Sequence, residues 1–247
     1  MMFAAVITGL IAGLSAVLLK TLVHFLQEWI RRPGKGEYSY LFFPTIGLVL
    51  VVYIIKKFFY GQLEKGVGMV LRNIAGRSSF IPLSDTYKHI LTSALTVGLG
   101  GSAGLEAPIV ATGSAIGSNT ARIHGMEHRE RSLLLACGAA AGIAAVFNAP
   151  IAGVIFAIEI LLTETIVSYF IPLMIAAVTG ALCSRIILQE SILFNFRLRE
   201  AFDYHNVPFY ILLGFASGFV SLYYARLFKA TEHRILELSS NSYLRAL

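Results

Sequence analysis

The chain has 247 residues, 56% of them hydrophobic and only 14% charged, and its mean hydropathy is +0.72. A soluble domain carries about 45–50% apolar and about 25% charged residues, so lipid must be the solvent for much of this surface. The net charge of +6 is no nucleic-acid footprint, because the basic residues are scattered between apolar runs and form no face or tail.

The first apolar run, 3–26, has no basic stretch before it and no small-residue cleavage site, so it reads as a membrane helix and not a removable signal. About 20 apolar residues span a bilayer; runs 40–59, 166–188 and 208–228 also meet that length. Arg31, Arg32, Lys56 and Lys57 fall at run ends, where they would meet lipid headgroups. Two stretches differ in texture. Segment 89–121 is rich in Gly, Ala, Ser and Thr, and 132–162 is rich in Ala and Gly before it turns bulkier. Each exceeds one span and is interrupted by a proline, Pro108 or Pro150. Irregular backbone at membrane depth persists only where protein buries it or it lines a watery cavity, which predicts broken helices inside the bundle. GxxxG pairs at Gly9/Gly13, Gly100/Gly104, Gly113/Gly117, Gly138/Gly142 and Gly214/Gly218 predict close helix contacts. Cys137 and Cys183 both lie in apolar stretches, so no disulfide framework is expected. The polar segments 61–85, 122–131, 189–206 and 231–247 are too short for a soluble domain.

The segment from Gly98 to Pro108 carries the most chemistry. A carboxylate at membrane depth costs at least about 2.5–3.5 kcal/mol, so Glu106 needs a compensating environment. Glycines before it free backbone N–H groups, and Pro108 suits the first turn of a new helix. Glu106 is therefore expected just before a helix N-terminus, whose unpaired N–H groups and positive dipole end favour an anion. The carboxylate can fill that place itself or yield it to a free anion. The bland alternative is a capping glutamate. The same stretch also matches G-x-S-x-G from Gly100 to Gly104, which would make Ser102 the nucleophile of an intramembrane serine hydrolase; that needs a strand–turn–helix setting and a His base. Further on, Asn148-Ala-Pro150 breaks a small-residue helix, and the next one carries Glu159, either an intramembrane functional carboxylate or an interfacial one beside Thr163, Glu164 and Thr165. Upstream, Gly66-Val67-Gly68 reads as a turn after the second span.

Taken together these stretches resemble the first half of a CLC chloride channel or transporter. In that family G-S-G-I-P, G-R-E-G-P and N-A-P-x-A-G-x-x-F-x-x-E patterns form part of the anion path. The third is intact from Asn148 to Glu159, and the second stands as Gly104-Leu105-Glu106-Ala107-Pro108. The first keeps Gly66 and Gly68 but has Val67 in place of the family's serine. The resemblance implies an all-α, polytopic membrane bundle with broken and re-entrant helices, the first repeat of an inverted-repeat fold. Residues 1–247 would be its N-terminal half, with no soluble domain and with a C-terminal half as missing partner. It implies that Glu106 is the gate and that Gly66, Val67, Gly68, Gly104, Leu105, Ala107 and Pro108 surround the anion. Proton-coupled members place a second glutamate where this chain has Ile160, so the expectation is an uncoupled, voltage-gated chloride channel. The alternative is a chloride/proton or fluoride/proton antiporter using Glu159 or Glu164 as its proton path. The resemblance further implies a homodimer in the lipid bilayer of the cell membrane, chloride as the transported ligand, no enzymatic activity, no cofactor or metal, and no nucleic-acid partner.

Overall fold

Apolar runs separated by Gly, Pro and charged residues fold here into helices only, among the described residues. The computed structural model describes residues 1–31, 42–59, 66–76, 79–162, 167–188, 203–238 and 243. The elements are α1 (Met2–Arg31), α2 (Phe43–Phe58), α3 (Gly66–Ala75), α4 (Asp85–Gly98), α5 (Glu106–Ile123), α6 (His128–Phe147), α7 (Pro150–Phe156), α8 (Phe170–Leu188) and α9 (Val207–Leu238). Met2–Ile30, His128–Phe147, Phe170–Leu188 and Tyr204–Ile235 are long and apolar enough to cross a bilayer. The span expected at 40–59 is shorter than that: α2 has 16 residues, about 24 Å of helix at 1.5 Å per residue. Residues 40 and 41 lie outside the described set.

Helix α6 is the centre of the first unit, residues 1–193. Every residue from Leu133 to Val146 is buried, because α1, α5, α7 and α8 all pack around it. Its Ala and Gly content makes that possible, with a small residue presented to each neighbour. Gly138 meets Gly113 of α5 backbone to backbone, and a side chain on either would run into the other's carbonyl. A Cβ on Gly142 would sit 3.1 Å from the Ile109 carbonyl, so α5 and α6 run antiparallel. Ala141 faces Gly180 of α8, and Ala140 faces Gly153 of α7. A parallel contact joins α1 to α8, where Gly9 lies on Ala176 and Gly13 on Gly180. Three of the five expected GxxxG pairs thus make helix contacts. Gly100 and Gly104 lie outside any helix, and the described residues offer nothing within 4 Å of a Cβ on Gly214 or Gly218.

Helix ends follow local chemistry. At the end of α4, Gly101 N–H reaches the Thr96 carbonyl (2.8 Å) and Gly100 N–H the Val97 carbonyl (3.1 Å). This is a Schellman closure, and Gly100 takes the left-handed φ of +96° that it requires. Asn148 ends α6 with φ +52°, and Pro150 starts α7 at a position where its missing N–H costs nothing. The break expected at Pro150 is a reversal of the chain. Helix α7 then widens into a π-helical turn, Ala157–Leu161.

The second unit, residues 194–247, is described from Asp203 through a short 3-10 turn into α9. Helix α9 continues to Leu238, so the start of the expected polar tail at 231 is helical.

Candidate functional site

Two helix starts come together. Gly66, first residue of α3, lies against Ala107 in the first turn of α5: a Cβ on Gly66 would be 2.9 Å from the Ala107 Cβ and 3.3 Å from its carbonyl oxygen. Further along, the segment after α3 touches the far part of α5, where Ser118 Oγ donates to the Ser79 carbonyl (2.8 Å). The helices therefore run side by side in one direction, and both positive dipole ends point to the same place.

The local backbone leaves donors there. The first intrahelical bond of α5 runs from Ile109 N–H to the Leu105 carbonyl (3.1 Å), so the N–H groups of Glu106 and Ala107 precede the ladder, and Pro108 has none. In α3 the N–H groups of Gly66, Val67 and Gly68 stand in the same position, within its first turn. The Val67 side chain packs on the hydrophobic core, so its backbone is what it can offer an anion. Leu105 packs on that core too. Gly68 has open space around its α-carbon, and Gly104 and Ala107 are exposed.

Glu106 is the first residue of α5, not the residue before it. Its side chain folds back, and Oε2 takes the volume that a Cβ on Gly104 would need. A larger residue at 104 would push the carboxylate away from its own helix start. The exposed link 102–104 leaves this carboxylate room to swing. What the arrangement can do chemically is bind one anion, its own carboxylate or a free one, at two clustered N-termini.

Glu159 is elsewhere. The chain reverses at Asn148, and Gly153 already lies on Ala140. Nine residues beyond Pro150, Glu159 is roughly 13 Å farther along that leg. It sits exposed in the π-helical turn beside exposed Ile160, whereas Ile158 packs on the core. Glu164 lies outside the described residues. Ser102 is exposed in the link between α4 and α5, and no strand occurs among the described residues, so the setting a G-x-S-x-G nucleophile needs is not present there. The sequence reading also passed over a polar cluster at the other end of α3, formed by Ser79, Ser118, Asn119, His128 and Ser132. Its only sequence signal is a set of hydroxyl and amide side chains in otherwise small-residue helices.

The family model described as "Voltage gated chloride channel" matches residues 47–247. The chain is 31% identical over 247 residues to chloride channel protein CLC-e of Arabidopsis thaliana, an alignment covering 90% of this chain and 34% of that protein. It is 37% identical over 138 residues to the H(+)/Cl(-) exchange transporter ClcA of Cronobacter sakazakii, covering 53% of this chain and 29% of that one. In fold it is similar to a slow cyanobacterial Cl-/H+ antiporter, with a TM-score of 0.83 at 22% identity over 99% of this chain and 60% of the other. A CLC-type fluoride/proton antiporter gives the same TM-score at 24% identity, with 99% and 61% covered. The matched part of the chain thus spans between 29% and 61% of the length of these proteins.

Proposed function

The chain belongs to the voltage-gated chloride channel (CLC) family, and we propose that it forms the first half of a membrane anion pathway gated by Glu106. The observation that carries this reading is the contact of Gly66 with Ala107, which gathers two helix N-termini at one point beside the exposed Glu106 carboxylate. Amides and dipole ends replace an anion's hydration shell, and the Glu106 carboxylate competes with the anion for the same place. Protonating the carboxylate removes the competitor and opens the way. The companion half-pathway comes from a second repeat, and a second copy of the whole is the expected partner in the bilayer.

Of the two transport modes, exchange of anions for protons is favoured over uncoupled conduction. Ile160 argued for the channel, but the relative sharing 37% identity is named an H(+)/Cl(-) exchange transporter. With Ile160 apolar, Glu159 in its exposed π-helical turn is the described carboxylate left to accept protons from the opposite side.

The test is chloride flux from liposomes carrying this chain together with the C-terminal half of a relative, with proton movement followed in parallel. Glu106→Gln should keep anion flux and abolish its pH dependence and its coupled proton flux. Unaltered pH dependence would remove Glu106 from the gate, and chloride flux that never drives protons would restore the uncoupled reading.

A further inference from the structure

The end of α3 away from Glu106 is held by hydrogen bonds that the anion pathway itself does not use. Ser79 is fully buried and has a left-handed φ of +43°, which a non-glycine residue adopts only when its surroundings hold it there. Each of its polar groups is engaged. Its N–H donates to the Asn73 carbonyl in the last turn of α3 (2.9 Å). Its carbonyl accepts from Ser118 Oγ of α5 (2.8 Å). Its hydroxyl meets Ser132 Oγ (2.6 Å) and His128 Nε2 (3.3 Å), both on α6. Two residues on, the Ile81 N–H donates to Ser118 Oγ (3.0 Å) and the Ile81 carbonyl accepts from Asn119 Nδ2 (3.2 Å).

When all three contacts are made at once, proton counting sets the direction of the hydroxyl bonds. Ser132 Oγ donates its one proton to the His128 carbonyl (3.0 Å), so in its bond with Ser79 it must accept. The Ser79 proton is then spent on Ser132, and its oxygen must accept from His128 Nε2–H. The relay runs from the imidazole through Ser79 and Ser132 back to the His128 carbonyl. A ring protonated at Nε2 serves it whether neutral or charged.

Helix α3 is thus a strut of 10 residues, about 15 Å long, with one end joined through Ser79 to α5 and α6 and the other set against Ala107. We propose that Ser79 is a positioning residue: the joint it makes with Ser118, Ser132 and His128 sets how closely the Gly66–Gly68 amides approach the start of α5, and hence how tightly the pathway holds an anion. The proposal rests on the anion-pathway reading above. Removing the Ser79 hydroxyl breaks the tie to α6, and removing the Ser118 hydroxyl breaks the tie to α5; either loosens the end of α3 without touching any residue of the anion site.

The experiment reads geometry and transport separately. Spin labels go on exposed Leu71 of α3 and Ile123 of α5, with Cys137 and Cys183 replaced by alanine, and the distance distribution is recorded by pulsed electron resonance. Ser79→Ala, Ser118→Ala and Ser79→Gly, which loses the hydroxyl while easing the left-handed backbone, should each shift or broaden that distance by about 1–2 Å, the size of a helix displacement. In the flux assay the same variants should raise the chloride concentration for half-saturation several-fold. An unchanged distance distribution in all three would overturn the joint, whatever transport does. A displaced α3 with unchanged half-saturation in a chain that still needs Glu106 would overturn its link to the anion. Absence of chloride flux from the unsubstituted protein would defeat the underlying reading and this one with it, while the distance data would still report on the joint.

Discussion

Gly66 and Ala107 touch across the starts of two parallel helices, with room for no side chain between them: a Cβ on Gly66 would come within 2.9 Å of the Ala107 methyl. Gly66→Val should therefore drive the two N-termini apart and scatter their N–H groups. The expected result is a loss of anion flux of about tenfold or more, since misplacing a binding group by 1 Å is enough for that. Because Gly66 is only half-buried at a helix start, thermal stability in detergent should fall far less than for a core substitution. Flux equal to that of the unsubstituted protein would show that the contact has no part in transport.

The α5–α6 contact makes the opposite prediction, a large stability effect remote from the site. A side chain on Gly138 would strike the Gly113 carbonyl, and both backbones are buried on every side. Gly138→Val should cost about 3 kcal/mol or more, at the upper end of overpacking penalties. Reversible unfolding in mixed micelles would measure it, and a change below about 1 kcal/mol would mean the two helices can separate cheaply.

His128 should carry its proton on Nε2. With the Ser132 hydroxyl committed to the His128 carbonyl, the relay through Ser79 needs a donor at that nitrogen. Imidazole nitrogen shifts distinguish the tautomers directly. Finding the proton on Nδ1 with the ring neutral would reverse the assignment.

Asp203 caps the 3-10 turn that leads into α9, and the cap's pH response has a definite sign. Its Oδ1 accepts from the His205 backbone N–H (2.9 Å) and from His205 Nδ1 (2.8 Å). Those two bonds, the backbone one first, hold the carboxyl below the ordinary carboxylate range. A lowered folded-state value means the cap's contribution is present above the ordinary carboxylate pKa and is lost as pH falls through the lowered one. Carbon-detected titration should place the Asp203 midpoint below that of other exposed carboxylates, and His205→Ala, which keeps the backbone N–H and loses only the imidazole bond, should move it up only part of the way.

The sequence showed membrane helices, the breaks at Pro108 and Pro150, and the glutamate at a helix start, because composition and proline chemistry act locally. It misjudged what depends on tertiary context. Gly66 to Gly68 looked like a turn, since glycines punctuate loops, yet they open a helix whose start is packed on Ala107. Gly100 and Gly104 matched a helix-contact spacing, but Gly100 closes α4 and Gly104 makes room for the Glu106 carboxylate. Ser79 was invisible because nothing local marks a serine whose four bonding partners come from three different helices.

Helix α6 bears on how the protein enters the membrane at all. Its first turn carries His128, Arg129, Glu130 and Arg131, and the apolar remainder is mostly Ala and Gly, so the stretch from Leu133 to Phe147 covers only about 22 Å of a hydrocarbon core about 30 Å thick. The whole helix is long and apolar enough to cross, but its mean hydropathy of 1.5 is below the 2.3 of α1 and the 2.0 of α8, so lipid favours it less than them. The more apolar α1 and α8, and the antiparallel neighbour α5, are the helices whose contacts would hold it at membrane depth. The residues that make the centre of the bundle so close-packed also make it the segment most dependent on its neighbours during biogenesis.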